Sequence, residues 1–271
     1  MSSIYPKEIG FKIPLAKFDF ISLVHLKKNL PPKTVFRIYG MAQVGKGTNA
    51  SLLSDVLDIP NLETSMILRS ITAICIENNW EGTDENIQKA NEMLEIVLLP
   101  KETKIRCYYN KVELTIERLR SNEVNKVIAS FSNKPFLREL YYKKIGFILT
   151  NFIDGACVLD GRGITTPYLK MAEEAGMNII KILVDCNYDV RCQRIIAEHL
   201  SKNPNLTDQE ISQIKANFVE GVVKRDEIDA KMIIDMNLGL ISDDTIILDT
   251  TEMTKEQAFE SLLACINNKL L

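Results

Sequence analysis

One stretch constrains this chain more than any other: Gly40-Met41-Ala42-Gln43-Val44-Gly45-Lys46-Gly47-Thr48. Before it stands Thr34 to Tyr39, a short β-branched and aromatic run that reads as a strand. After it, Lys46 to Leu57 reads as a helix with Leu52, Leu53, Val56 and Leu57 clustered on one face. Gly40 and Gly45 let the backbone curl until its N–H groups face a common point. The helix N-terminus adds the positive end of a dipole, and the Lys46 ammonium reaches the terminal phosphates. Thr48 supplies a hydroxyl suited to Mg²⁺, although Gly47 separates it from the lysine. A strand, a glycine loop and a helix in that order predict a site for MgATP. Gly40, Gln43, Val44, Gly45, Lys46, Gly47, Thr48 and Asn49 are its expected contacts.

The remaining pattern predicts an α/β fold. Ala156–Asp160, Ile179–Asp185 and Thr245–Leu248 are short apolar runs of the kind found in a parallel sheet buried on both faces. Helical patterning runs from Thr64, as cap, to about Asn78, from Asp84, as cap, into Leu94, from Asn122 to Phe131 and from Pro135 to Phe152. Thr254-x-x-Gln257 is a capping box that opens a C-terminal helix. Between the helices, Ile96–Leu99, Ile105–Tyr109 and Val112–Leu114 read as three short strands, a small β-rich insert. Residues 1–33 stand apart as an arm, with Pro6, Pro14 and Pro31-Pro32 opposing any long helix. Its Phe11, Phe18, Phe20 and Leu23 are too apolar for a solvated tail, so it is expected to pack on the body or on a partner.

Composition narrows the function class. Against 33 Lys+Arg stand 36 Asp+Glu, a net charge of -3, which argues against a nucleic-acid binder that relies on basic excess. No apolar run approaches the roughly 20 residues that span a bilayer. Phe18 to Val24 is too short and too interrupted for a signal peptide, so a cytoplasmic protein is expected. The 6 cysteines form no C-x-x-C pair, and His25 and His199 neighbour no cysteine pair, so neither a disulfide framework nor a zinc site is expected.

Further motifs carry a family resemblance. Pro60-Asn61-Leu62-Glu63-Thr64-Ser65-Met66-Ile67-Leu68-Arg69 follows the loop's helix, and Leu119-Arg120-Ser121-Asn122-Glu123-Val124 follows the β insert. Leu159-Asp160-Gly161-Arg162-Gly163-Ile164-Thr165-Thr166 and Lys224-Arg225-Asp226-Glu227-Ile228-Asp229 come later, in that order. With the Gly-Lys-Gly-Thr ending of the loop, these resemble the cytidylate kinases, a branch of the P-loop nucleoside-monophosphate kinases. The resemblance implies a P-loop kinase fold, an acceptor-binding insert at about 64–133 and a helical lid at about 187–232, within a domain spanning 34–271. It implies phosphoryl transfer from MgATP to CMP or dCMP. Arg69 and Arg162 then match acceptor-phosphate arginines, Arg120 and Thr64 match acceptor contacts, and Asp229 matches a pyrimidine-selecting residue. Asp160 is implied, with Thr48, for Mg²⁺ and its waters, while Arg194 and Arg225 fold over the phosphates with the lid; Lys46, Asp160, Arg162, Arg194 and Arg225 form the implied catalytic set.

The chain also departs from that pattern. Gly163 stands for an aspartate and Leu68 for a tyrosine, and Ile228 and Met232 stand where arginines are expected. From Cys186 to Met232 there are seven Lys/Arg against eight Asp/Glu, so the lid is not a strongly basic clamp. Two other functions stay open: a nucleotide-binding regulator that works through its arm, or a P-loop kinase for another small acceptor.

Overall fold

The computed structural model describes residues 20–98, 105–161, 167–223, 226–227 and 243–270. The chain runs α1 (Phe20–Asn29), β1 (Thr34–Tyr39), α2 (Lys46–Leu57), β2 (Asn61–Glu63), α3 (Ser65–Glu77) and α4 (Asp84–Met93). It continues as β3 (Leu94–Leu98), β4 (Ile105–Tyr109), β5 (Val112–Glu113), α5 (Ile116–Leu119), α6 (Asn122–Ser132) and α7 (Pro135–Phe152). Then follow β6 (Cys157–Gly161), α8 (Pro167–Glu174), β7 (Asn178–Asp185), α9 (Tyr188–Lys202), α10 (Asp208–Phe218), β8 (Ile246–Asp249) and α11 (Lys255–Leu270).

Five strands form a parallel sheet in the order β2-β6-β1-β7-β8. Every residue of β1 and β6 is buried, because helices cover both faces and no position of these strands meets water. Register assigns the faces. Val35 pairs with Cys157 and Arg37 with Leu159, and this side packs under α3, α6, α7 and α8 through Ile71, Ile128, Leu149 and Leu169. Phe36 pairs with Val158 and Ile180, and Ile38 with Ile182, and this side packs on α2 and α11 through Leu52, Leu53, Phe259 and Leu262. From β1 the chain first builds outward to β2 and β6, then crosses to β7 and β8 on the other side. The order therefore reverses at β1, and a crevice opens above the carboxyl end of that strand, where the glycine loop lies.

The β insert is a separate antiparallel sheet, β3-β4-β5. Ile105, Cys107 and Tyr109 are buried while Arg106 and Tyr108 alternate outward, as in a sheet with one covered face. Asn110 and Lys111 both have positive φ, 49° and 64°, and close the hairpin that pairs Tyr109 with Val112.

Several local expectations are corrected. Thr83, not Asp84, caps α4, its hydroxyl accepting from the Asn86 N–H at 3.3 Å, so the helix begins one residue earlier than a cap at Asp84 requires. Thr64 occupies the N-cap position of α3 without capping it, because its hydroxyl donates instead to the Asp160 carbonyl at 2.9 Å. Strand β3 starts at Leu94, directly where α4 ends. Strand β2 is three residues with little apolar character, and it exists only through its pairing with β6. The arm contains helix α1, which the prolines flank without interrupting, and Leu26 is fully buried in the same cluster as Phe36 and Ile38. No helix among the described residues is long and apolar enough to cross a membrane.

Candidate active site

The loop between β1 and α2 owes its shape to three positive φ values: Gly40 at 152°, Gln43 at 62° and Gly45 at 95°. Its carbonyls are then held one by one. Lys46 Nζ donates to the Met41 carbonyl at 3.2 Å, Arg191 Nε to Ala42 at 2.8 Å and Arg194 Nη1 to Gln43 at 3.4 Å. Thr250 Oγ1 donates to the Val44 carbonyl at 2.9 Å, and Asn49 Nδ2 to Gly45 at 3.0 Å. Five successive carbonyls, Met41 to Gly45, are thus engaged, and the loop leads directly into the N-terminus of α2, an arrangement suited to binding an anion.

A cavity of about 680 Å³ adjoins this loop. Gln43, Val44, Gly45, Thr48 and Asn49 line one side of it, and Arg194, Thr250 and Lys255 are among those lining the rest. Arg194 is half-buried here, its guanidinium bound to the Thr250 hydroxyl at 3.0 Å and the Thr250 carbonyl at 2.8 Å. It is therefore part of the wall of the cavity in this structure. Arg162, Arg225 and Asp229 lie outside the described residues.

Asp160 sits at the carboxyl end of β6, nearly buried, between two parts of the site. A Cβ placed on Gly47 would lie 3.5 Å from Asp160 Oδ2, so the carboxylate faces the start of α2. Its backbone carbonyl accepts from both the N–H and the hydroxyl of Thr64, each at 2.9 Å. Burial pushes the Asp160 carboxyl above the usual range, and Glu63 adds to this, while Lys46, Arg37 and Arg120 oppose it. Asp160 Oδ1 is buried with no hydrogen-bond partner among the described residues. A carboxylate that faces Gly47 and carries an orphan oxygen fits Mg²⁺, which prefers one or two protein oxygens with the phosphates supplying more. No cluster of three or more His, Cys, Asp or Glu suited to a metal occurs among the described residues.

A second cavity, of about 610 Å³, has a lining that includes Glu63, Arg106, Glu113, Thr115 and Arg120, and Glu63 pairs with Asp160 in the sheet. Arg120 donates to both carboxylate oxygens of Glu63 at 3.0 Å, and Ser65 Oγ donates to Glu63 Oε1 at 2.8 Å. Arg69 Nη1 reaches the Leu119 carbonyl at 2.9 Å and Asn125 Oδ1 at 2.8 Å, while Asn125 Nδ2 holds the Arg120 carbonyl at 2.8 Å. Thr64, Arg69 and Arg120 are thus gathered at one place by α3, α5 and the start of α6. Glu63 and Asn125, which bind these arginines, escaped the sequence reading because each needs a partner more than fifty residues away.

Arg191 and Thr250 were also missed. Arg191 pairs with Asp226 in a buried ion pair and lies over the Phe218 ring at 5.7 Å, while its Nε supports the loop. The available signal was the i, i+3 spacing of Arg191 and Arg194, which sets both on one face of α9. Thr250→Val keeps the side-chain shape and removes the donor to Val44 and the acceptor for Arg194. It should cost about 2 kcal/mol in stability and raise the MgATP KM several-fold. Chemical denaturation and steady-state kinetics check both, and unchanged values would remove Thr250 from the loop's support.

Residues 37–268 match the sequence model of the family described as cytidylate kinase. A cytidylate kinase from Carboxydothermus hydrogenoformans is 30% identical over 237 residues, covering 86% of this chain and 96% of that protein. The cytidylate kinase of Bacillus subtilis is 23% identical over 240 residues, covering 88% of this chain and 98% of its own length. A gluconokinase structure from Sinorhizobium meliloti aligns at 13% identity with a TM-score of 0.40, covering 88% of this chain and 95% of that one, a similarity too low to speak to an acceptor.

Proposed function

Since this chain belongs to the cytidylate kinase family, we propose that it moves the γ-phosphoryl group of MgATP to a pyrimidine monophosphate, CMP or dCMP, in the cytoplasm. Family membership makes it a nucleoside-monophosphate kinase; the pyrimidine acceptor and the residue roles belong to the proposal. The observation that carries it is the position of Asp160, whose carboxylate faces the phosphate loop at Gly47 while its carbonyl is bonded to Thr64 on the acceptor side. Asp160 thus links the phosphate loop to Thr64 and Glu63 at one strand end, the placement that transfer between two bound phosphates would use.

In this reading the loop N–H groups and Lys46 hold the triphosphate, and Arg194 and Thr250 keep the loop in shape beside the nucleoside. Mg²⁺ held through Thr48 and Asp160 would neutralise charge on the phosphates. Arg69, Arg120 and Arg162 grip the acceptor phosphate, for which planar guanidinium forks are suited. Arg120 must first exchange Glu63 for that phosphate, which makes Glu63 a preorganising partner in the unliganded site. Thr64 contacts the acceptor, Asp229 selects the pyrimidine, and Arg225 closes over the transferring group with the lid. Transfer itself needs little more than alignment and charge stabilisation.

The test is an ADP-release assay with MgATP against CMP, dCMP, UMP, AMP and GMP, with Lys46→Ala as the blank. Turnover on CMP or dCMP above the other acceptors is the expected result. No turnover on any of them, with MgATP still bound, would sink the pyrimidine reading and favour another acceptor or a regulatory nucleotide-binding role.

A further inference from the structure

Strand β1 carries a residue that no buried parallel strand needs. Arg37 lies at its centre with no exposed surface, among Val35, Phe36, Ile38 and Tyr39. Taking a guanidinium out of water costs several kcal/mol after relaxation, and Arg keeps its charge at any working pH. Any aliphatic residue would fill a strand position more cheaply, so the charge calls for a reason beyond packing.

The location supplies one. Arg37 Nη1 donates to the Leu159 carbonyl at 2.9 Å, and the guanidinium stands 5.9 Å from the centroid of the Tyr168 ring. Gly161, the last residue of β6, covers it without a side chain: a Cβ there would lie 3.1 and 3.2 Å from the two terminal nitrogens and would overlap the Thr64 hydroxyl. The guanidinium is therefore packed under the bare end of β6, one residue before Arg162 and beside Thr64. Register puts Arg37 on the Leu159 face, which α3 covers, and Asp160 on the Ile38 face, which α2 covers. Lys46 approaches the same strand end from the α2 side. Two cations thus flank the carboxyl end of β6, one from each face of the sheet.

We propose that Arg37 is a positioning residue for the acceptor phosphate: a permanent charge beneath the end of β6 that fixes this strand end and attracts the phosphate to it without touching it. It supplies some of the positive charge that the family resemblance expects at positions 228 and 232 and that Ile228 and Met232 lack. The proposal rests on the phosphotransfer reading above, and its test is arranged so that the two can fail separately.

Arg37→Gln keeps a donor for the Leu159 carbonyl and loses the charge, whereas Arg37→Lys keeps the charge. With the parent active, Arg37→Gln should raise the KM of the preferred monophosphate about tenfold, with the MgATP KM unchanged and Arg37→Lys restoring most of the loss. An unchanged acceptor KM in Arg37→Gln, or equal damage in Arg37→Lys, overturns the proposal. If the parent turns over no monophosphate, the acceptor reading fails by itself. Arg37 is then judged by calorimetric binding of inorganic phosphate to protein saturated with Mg²⁺ and a non-hydrolysable ATP analogue. Binding about tenfold weaker in Arg37→Gln supports the proposal; equal affinity, or no phosphate binding by the parent, overturns it. Loss of fold in both Arg37→Gln and Arg37→Met, read by circular dichroism and thermal midpoint, would make the residue purely structural and would overturn it as well.

Discussion

Lys46→Ala is expected to lower kcat about a thousandfold while the protein stays folded. Lys46 opens α2 and is half-buried, with its Nζ 3.2 Å from the Met41 carbonyl. Alanine is the best helix former, so the substitution does not weaken α2. On the proposed reading it removes the loop's own side-chain cation, which would follow charge as it builds on the transferring phosphoryl group. The loss should therefore fall on kcat more than on the MgATP KM, because the loop N–H groups still bind the triphosphate. Single-turnover kinetics separate the two, and the thermal midpoint checks the fold. A variant with parental kcat would show that the loop serves binding alone.

Gly40→Ala is expected to damage stability and binding together. The backbone at Gly40 has φ 152°, a conformation that side chains rarely adopt, and a Cβ there would overlap the Val184 carbonyl and crowd Val44 Cγ2 at 3.1 Å. The obstacle is the backbone of β7, which cannot rotate away as a side chain would. Relief requires the loop to lift off the sheet, and this also releases the carbonyls held by Arg191, Arg194 and Thr250. A loss of about 3 kcal/mol, a thermal midpoint lower by roughly 6–12 °C, and MgATP binding too weak to saturate are the expected results. Parental stability and a parental MgATP KM would mean that the loop tolerates a side chain against β7, contrary to its geometry.

Local signals carried the sequence reading where chemistry and spacing coincide. The phosphate loop was legible because glycines, a lysine and a hydroxyl must lie within nine residues to surround one phosphate chain. Strands β1 and β6 were legible because a strand buried on both faces is apolar at most positions; β7 and β8 read as similar apolar runs, but β7 is only partly buried and the edge strand β8 leaves Ile247 exposed. The capping box was legible because its partners are three residues apart, and the Thr254 N–H to Gln257 Oε1 bond at 2.9 Å closes it. The family resemblance came from motifs of the same local kind.

Tertiary structure decided the rest, because its partners are distant in the chain. Thr64 has the composition of a helix cap, yet its hydroxyl goes to Asp160, 96 residues later, since β2 pairs with β6. Val44 and Thr250 are 206 residues apart and share a hydrogen bond only because the loop sits against the end of β8. No local signal marks Arg37 within β1, and only register shows it beneath Gly161, on the opposite face from Asp160. The sequence alone determined what the loop can bind, since a phosphate nest is made by neighbours along the backbone. Which charges surround that phosphate was decided by the order of strands in the sheet, because only the sheet brings residues from opposite ends of the chain within reach of one another.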